Sequence, residues 1–263
     1  MRLDEAYSNS RYIPGGEEFP ERWAAAAAAF RASRAGASRL GLAYGPGERN
    51  WYDLHLPDRA PEGLAVFIHG GYWMAFSPRD FSHLAAGALA RGWAVAMPAY
   101  TLAPAARIFE ITREVAAAVT AAAGPVDGPI VVTGHSAGGH LSARMACEGV
   151  LPEDVADRLV NVVPISPLSD LGPLRETTMN ETLRIDAEEV LEESPAFLLN
   201  IPDLPVHVWV GGAERPAFLD QARWLGEAWG VPVTVETDRH HFDVIGGLER
   251  AESLLMGALL GGR

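Results

Sequence analysis

The stretch Ile130-Val131-Val132-Thr133-Gly134-His135-Ser136-Ala137-Gly138-Gly139-His140 decides how this chain is read. Its β-branched start, Ile130 to Thr133, predicts a buried strand. The residues from Gly138 to Glu148 predict a helix, so the Gly-x-Ser-x-Gly pattern between them falls on a sharp strand-to-helix turn. At such a turn Ser136 is held in a strained conformation with its hydroxyl presented. The flanking glycines make room where any Cβ would collide with neighbouring elements. The following helix points free N–H groups and the positive end of its dipole at the turn, which makes the Ala137 N–H a candidate donor to a developing oxyanion. In a chain with 27 glycines the pentapeptide alone carries little weight. The strand before it and the helix after it make Ser136 the candidate nucleophile. His135 and His140 flank the turn, whose geometry directs their side chains away from the hydroxyl, and are read as packing or pocket-lining residues.

Upstream, Ala65 to Ile68 is a second apolar strand, and it ends in His69-Gly70-Gly71-Tyr72-Trp73. Adjacent glycines let backbone N–H groups approach a tetrahedral oxyanion closely, so Gly70 and Gly71 are the further candidate donors. Downstream, Asp238-Arg239-His240-His241-Phe242-Asp243 follows the last strand candidate and precedes the final helix, where a general base is expected. His241 is assigned, with His240 as its rival, because sequence does not decide which ring faces the serine. An acid that holds the imidazole tautomer should follow the preceding strand. There Val206-His207-Val208-Trp209-Val210-Gly211-Gly212-Ala213-Glu214 supplies Glu214, with Asp170 and Asp220 as alternatives.

Strand candidates at Trp51–Leu56, Ala65–Ile68, Ala94–Met97, Ile130–Thr133, Val160–Ile165, Val206–Val210 and Val231–Thr234 alternate with helical patterns. The clearest of these are Phe81–Arg91, Ile108–Ala123, Gly138–Glu148, Ala217–Trp229 and Leu248–Leu260. The alternation predicts one α/β domain over residues 1–263, with a mostly parallel central sheet flanked by helices. Residues 1–40 read as an amino-terminal extension with a helix over Pro20–Ser33, whose Trp23 and Phe30, seven apart, share a face. Residues 168–201 carry Pro173 and Pro195 and a short acidic helix near Asp186–Glu193. They are too long for a simple connection and read either as a lid-like insertion or as a structural one.

Composition removes several classes. A net charge of −13 without a basic stripe argues against a nucleic-acid partner. Every cationic side chain is an arginine, so a Schiff-base lysine and a P-loop lysine are both excluded. The lone Cys147 rules out an internal disulfide or a cysteine-rich zinc site, and it reads as a buried helix residue. No secretory signal and no membrane-spanning run is visible, so a cytoplasmic location without membrane association is expected.

With these residues in place, the chain resembles the α/β-hydrolase superfamily over nearly its whole length. Within it, the resemblance is to the kynurenine formamidase (arylformamidase) branch and its hormone-sensitive-lipase-like esterase relatives. It is carried by His69-Gly70-Gly71-Tyr72-Trp73, by Gly134 to His140 and by His241-Phe242. It implies the α/β-hydrolase fold and hydrolysis of the formyl amide of N-formylkynurenine to kynurenine and formate. It also implies an oxyanion loop at the His-Gly-Gly-x-Trp motif and a nucleophile at the elbow serine. Glu214 departs from the aspartate more usual in this superfamily. A carboxylesterase acting on short acyl esters is the alternative activity, and a non-catalytic ligand-binding scaffold is a third reading. Tyr72, Trp73 and Phe76 either stack on an aryl substrate or belong to the core. The expected partner is a small-molecule substrate, with no metal or organic cofactor, and a homodimer is compatible with the sequence.

Overall fold

The computed structural model describes residues 3–261. Among them, eight strands form one sheet: β1 (Ser38–Ala43), β2 (Trp51–His55), β3 (Leu64–Ile68), β4 (Ala94–Pro98), β5 (Ile130–His135), β6 (Leu159–Ile165), β7 (Val208–Gly211) and β8 (Val233–Glu236). Their order across the sheet is β1-β2-β4-β3-β5-β6-β7-β8. The pairs β1/β2 and β2/β4 are antiparallel, and all pairs from β4 to β8 are parallel. The helices are α1 (Phe19–Ser33), α2 (Ala86–Ala90), α3 (Ile108–Ala123), α4 (Ala137–Met145), α5 (Glu153–Ala156), α6 (Asn180–Leu183), α7 (Ala187–Glu193), α8 (Pro216–Trp229) and α9 (Leu254–Leu260). No helix among the described residues is long and apolar enough to cross a membrane.

The period of two along each central strand builds two separate cores. Leu64, Val66, Ile68, Ile130 and Val132 face α3 and α4, meeting Ile111, Val115, Leu141 and Met145. Ala65, Phe67, Val131 and Val163 face the other way, toward Trp23, Phe81, Leu84, Leu255 and Leu259. β3 lies between β4 and β5, so the chain leaves it toward one edge of the sheet and later continues from β5 toward the other. A crevice opens where the winding reverses, at the carboxyl ends of β3 and β5. The His69-Gly70-Gly71 turn and Ser136 both emerge there.

Several elements differ from the sequence reading. β1 was not foreseen: it is a largely exposed edge strand, bulged between Arg39 and Leu42, with Gly41 at φ 72 donating its N–H to the buried Asp53. Such a strand shows no apolar alternation. The pattern over Leu248–Leu260 is two elements, a 3-10 turn at Val244–Glu249 and then α9, because Ser253 caps a new helix by accepting the Met256 N–H. Phe81–Arg91 likewise divides into a 3-10 turn at Ser82–Ala85 and α2.

Residues 168–201 hold α6 and α7 between 3-10 turns and are fastened to the domain. The Glu193 carboxylate accepts from Arg144 of α4 at 3.0 Å and from Thr112 of α3 at 2.6 Å, all three buried. Arg107 pairs with Asp186 at 2.9 Å and with Glu189 at 2.7 Å.

Candidate active site

The elbow takes the shape its glycines require. Ser136 has φ 58 and ψ −116 at the junction of β5 and α4, and its N–H is held by the carbonyl of Ile165 at 2.9 Å. A Cβ on Gly138 would fall on the Ile68 carbonyl and 2.6 Å from that of His69, so only glycine lets the helix start so close to β3. A Cβ on Gly70 would lie 2.7 Å from the His135 carbonyl and 3.2 Å from the Ser136 Cβ. The glycine turn and the elbow are thus in direct contact.

His69 shapes that turn. Its Nδ1–H donates to the Gly70 carbonyl at 2.8 Å, and its ring stacks on Tyr100 with centroids 4.3 Å apart. Burial lowers its pKa to about 3, so the ring stays neutral. Beyond it Gly71 (φ 107), Tyr72 (φ 51) and Trp73 (φ 57) curl the backbone through left-handed conformations, which send neighbouring side chains in different directions. Tyr72 and Phe76 line a cavity of about 450 Å³ at the crevice. Trp73 does not: of the three aromatics considered for substrate contact it turns into the core, fully buried, with its ring edge-on to His140 at 5.1 Å.

The histidine pair is resolved by packing. His241 points inward, and its Nδ1–H donates to Glu214 Oε2 at 2.5 Å. Its ring is flanked by Phe218 at 4.2 Å and His135 at 4.5 Å between centroids. His240 turns outward, edge-on to Phe19 of α1 at 5.3 Å, with its Nδ1 accepting from the Phe242 and Asp243 N–H groups. Backbone bonds from Gly212 to Glu236 and from Ala213 to Arg239 tie the loop after β7 to the segment before His241, which explains how Glu214 meets the ring. The other acids are engaged elsewhere: Asp170 accepts the Gly172 N–H at 2.7 Å, and Asp220 pairs with Arg223 on the surface.

Ser136, His135, His241, Gly70 and Gly71 all border the 450 Å³ cavity. Aromatic side chains complete much of its wall: Trp23, Tyr72, Phe76, Phe81 and Phe242. Three contributions were missed in the sequence. The first is the segment Asp4 to Ser10, which contributes Asp4, Tyr7 and Asn9 to the cavity wall and is fixed by the Tyr72 hydroxyl donating to the Tyr7 carbonyl at 2.5 Å. The second is the particular pair Thr178 and Met179 within the 168–201 stretch, a stretch the sequence singled out only as a whole. The third is Ser166, whose hydroxyl donates to Glu214 Oε1 at 2.5 Å. Only the position of Ser166, directly after a strand, was a usable signal, and it is a faint one.

The sequence profile of the alpha/beta hydrolase fold family matches residues 65–239, from β3 to just before His241. Kynurenine formamidase of Danio rerio is 27% identical over 237 residues, covering 84% of this chain and 80% of that protein. A crystal structure from Silicibacter sp. TM1040, provisionally called a thioesterase, is 56% identical, superposes with a TM-score of 0.97 and covers 98% of this chain and 99% of the other. An arylesterase structure, 19% identical, covers 84% of this chain and 81% of its own with a TM-score of 0.65, a likeness of fold. The switch-point crevice, the serine elbow and the profile match across most of the sheet lead to one conclusion: the chain belongs to the alpha/beta hydrolase fold family and is a hydrolase.

Proposed function

We propose that this hydrolase cleaves a small arylformamide, N-formylkynurenine to kynurenine and formate, with Ser136 as nucleophile, His241 as base and Glu214 as the orienting acid. The observation that carries the reading is the Glu214–His241 contact at the wall of the cavity that Ser136 also borders. With Nδ1–H committed to the carboxylate, Nε2 is the free acceptor, the tautomer a base needs. It takes the Ser136 proton as Oγ attacks the formyl carbon. The N–H groups of Gly70, Gly71 and Ala137 then stabilise the tetrahedral oxyanion. Collapse breaks the C–N bond, and the imidazolium returns its proton to the leaving amine. Water, deprotonated by His241, releases formate from the formyl-serine. The route uses no metal or organic cofactor. The aromatic wall suits one aryl ring, and Danio rerio kynurenine formamidase adds weight to a formamide as substrate.

The second reading is a short-chain ester or thioester, favoured by the 56% identical protein provisionally called a thioesterase. The steps are the same, with an alcohol or thiol leaving. Purified protein assayed on N-formylkynurenine, p-nitrophenyl acetate and a short acyl thioester separates the two. The formamide reading expects the highest kcat/KM on N-formylkynurenine, and ester or thioester cleavage without formamide cleavage rejects it.

A further inference from the structure

The geometry points to Ser166 as a positioning residue that acts on His241 through Glu214, an inference that rests on the reaction proposed above. β6 ends at Ile165, whose carbonyl holds the Ser136 N–H at 2.9 Å, and the next residue is Ser166. One strand end thus touches the nucleophile's backbone and the acid's side chain. Ser166 is fully buried, its N–H is bound to the Trp209 carbonyl at 2.7 Å, and its φ is 46. That left-handed conformation is costly for any residue with a Cβ, and glycine or asparagine would adopt it more readily. Strain of this kind persists where the side chain is needed.

The hydroxyl has a defined task. An ionised carboxylate only accepts, so the hydrogen between Ser166 Oγ and Glu214 Oε1 belongs to the serine. The Gly211 N–H donates to the same oxygen at 2.8 Å, which leaves Oε2 to face His241 Nδ1 at 2.5 Å. Glutamate has one more torsion than aspartate. Two donors on Oε1 immobilise that extra freedom, so the longer side chain presents its second oxygen in one place. Ser166 touches neither the nucleophile's hydroxyl nor the cavity, and its influence passes through the carboxylate.

The test compares Ser166→Ala and Ser166→Gly in the wild-type and Glu214→Ala backgrounds, assayed on N-formylkynurenine and p-nitrophenyl acetate. Glycine accepts φ 46 but lacks the hydroxyl, so both variants should lose about 10- to 50-fold in kcat with KM nearly unchanged, the scale of coupling within one hydrogen-bonded network. In the Glu214→Ala background neither substitution should lower the rate further. The low-field proton resonance of the His241 Nδ1–H should shift in both variants, a readout independent of turnover. Wild-type kinetics in Ser166→Gly, or an undiminished loss in the Glu214→Ala background, overturns the assignment of Ser166. If the wild-type protein cleaves neither substrate, the proposed reaction fails. The resonance then decides Ser166 by itself, and no change in either variant overturns it.

Discussion

His135 and His241 lie against each other, their ring centroids 4.5 Å apart and their planes tilted by 44°. Two imidazoles so close cannot both carry charge cheaply. Burial, and after it the neighbouring His241, push His135 well below its ordinary value. The ring that precedes Ser136 in the chain therefore stays neutral where it meets His241.

Buried neutral histidines make stability depend on pH. Burial lowers His69 to about 3 and His140 to about 4, whereas in the unfolded chain both titrate near 6.5. Between pH 6.5 and about 4 the unfolded state binds more protons than the folded one. Stability is therefore fully present above 6.5 and is lost as pH falls through that window. The slope is at most about 1.4 kcal/mol per pH unit for each ring. Urea midpoints should drop steadily from pH 7 to pH 5, and His140→Gln should flatten the trend. Equal midpoints across that range would contradict the account.

Ser136→Ala and His241→Ala should each lower kcat by about 10³-fold or more, and Glu214→Ala by less, because Phe218 and His135 still hold the ring. His240→Ala should stay within a few-fold of wild type, since that ring packs on Phe19. Steady-state kinetics of the four variants checks this. A His240 variant as damaged as the His241 variant would put the base elsewhere.

Gly71→Ala should remove activity by about 10²-fold, the scale of a displaced oxyanion donor. At φ 107 its Cβ would lie 2.5 Å from the Ala75 carbonyl and 2.7 Å from the Phe76 ring. Gly138→Ala should instead destabilise the whole fold by about 3 kcal/mol, because the carbonyl its Cβ would meet, that of Ile68, ends the buried central strand β3 rather than lying in a loop as the Ala75 carbonyl does. Thermal melts alongside kinetics distinguish a local loss from a global one.

Glu193→Ala should cost about 3–5 kcal/mol, because it leaves Arg144 buried without its partner. The double variant Arg144→Met/Glu193→Leu should recover most of that loss. Denaturant titration of the single and double variants measures it, and a double variant no more stable than the single would mean that the pair holds the 168–201 stretch by more than charge.

Deleting residues 1–13 should impair activity more than the removal of an appendage would. Tyr7 packs edge-on to Phe218 at 5.9 Å, its hydroxyl accepts from Gln221, and the segment around it lines the cavity. A truncated protein with unchanged kcat/KM would show that this wall is dispensable.

The apolar strands, the glycines around Ser136 and the placement of histidine and acid after successive strands were legible in the sequence, because each is a local consequence of side-chain size, branching and backbone freedom. The glycine turn after β3 was legible for the same reason. β1 was hidden because an exposed, bulged edge strand carries no burial pattern. Trp73 was ambiguous because its direction depends on a run of left-handed backbone that residue types do not announce.

Residue order thus settled which chemical groups the chain carries and the rhythm that makes a parallel sheet. Tertiary structure alone decided that His241 rather than His240 faces Glu214, that Asp170 and Asp220 are engaged elsewhere, and that Tyr7 and Ser166 border the site or support it. The placements of His241, Tyr7 and Ser166 depend on contacts between segments dozens to hundreds of residues apart. Such contacts form only when packing brings the loops together, and no local preference encodes which of two adjacent side chains will turn inward.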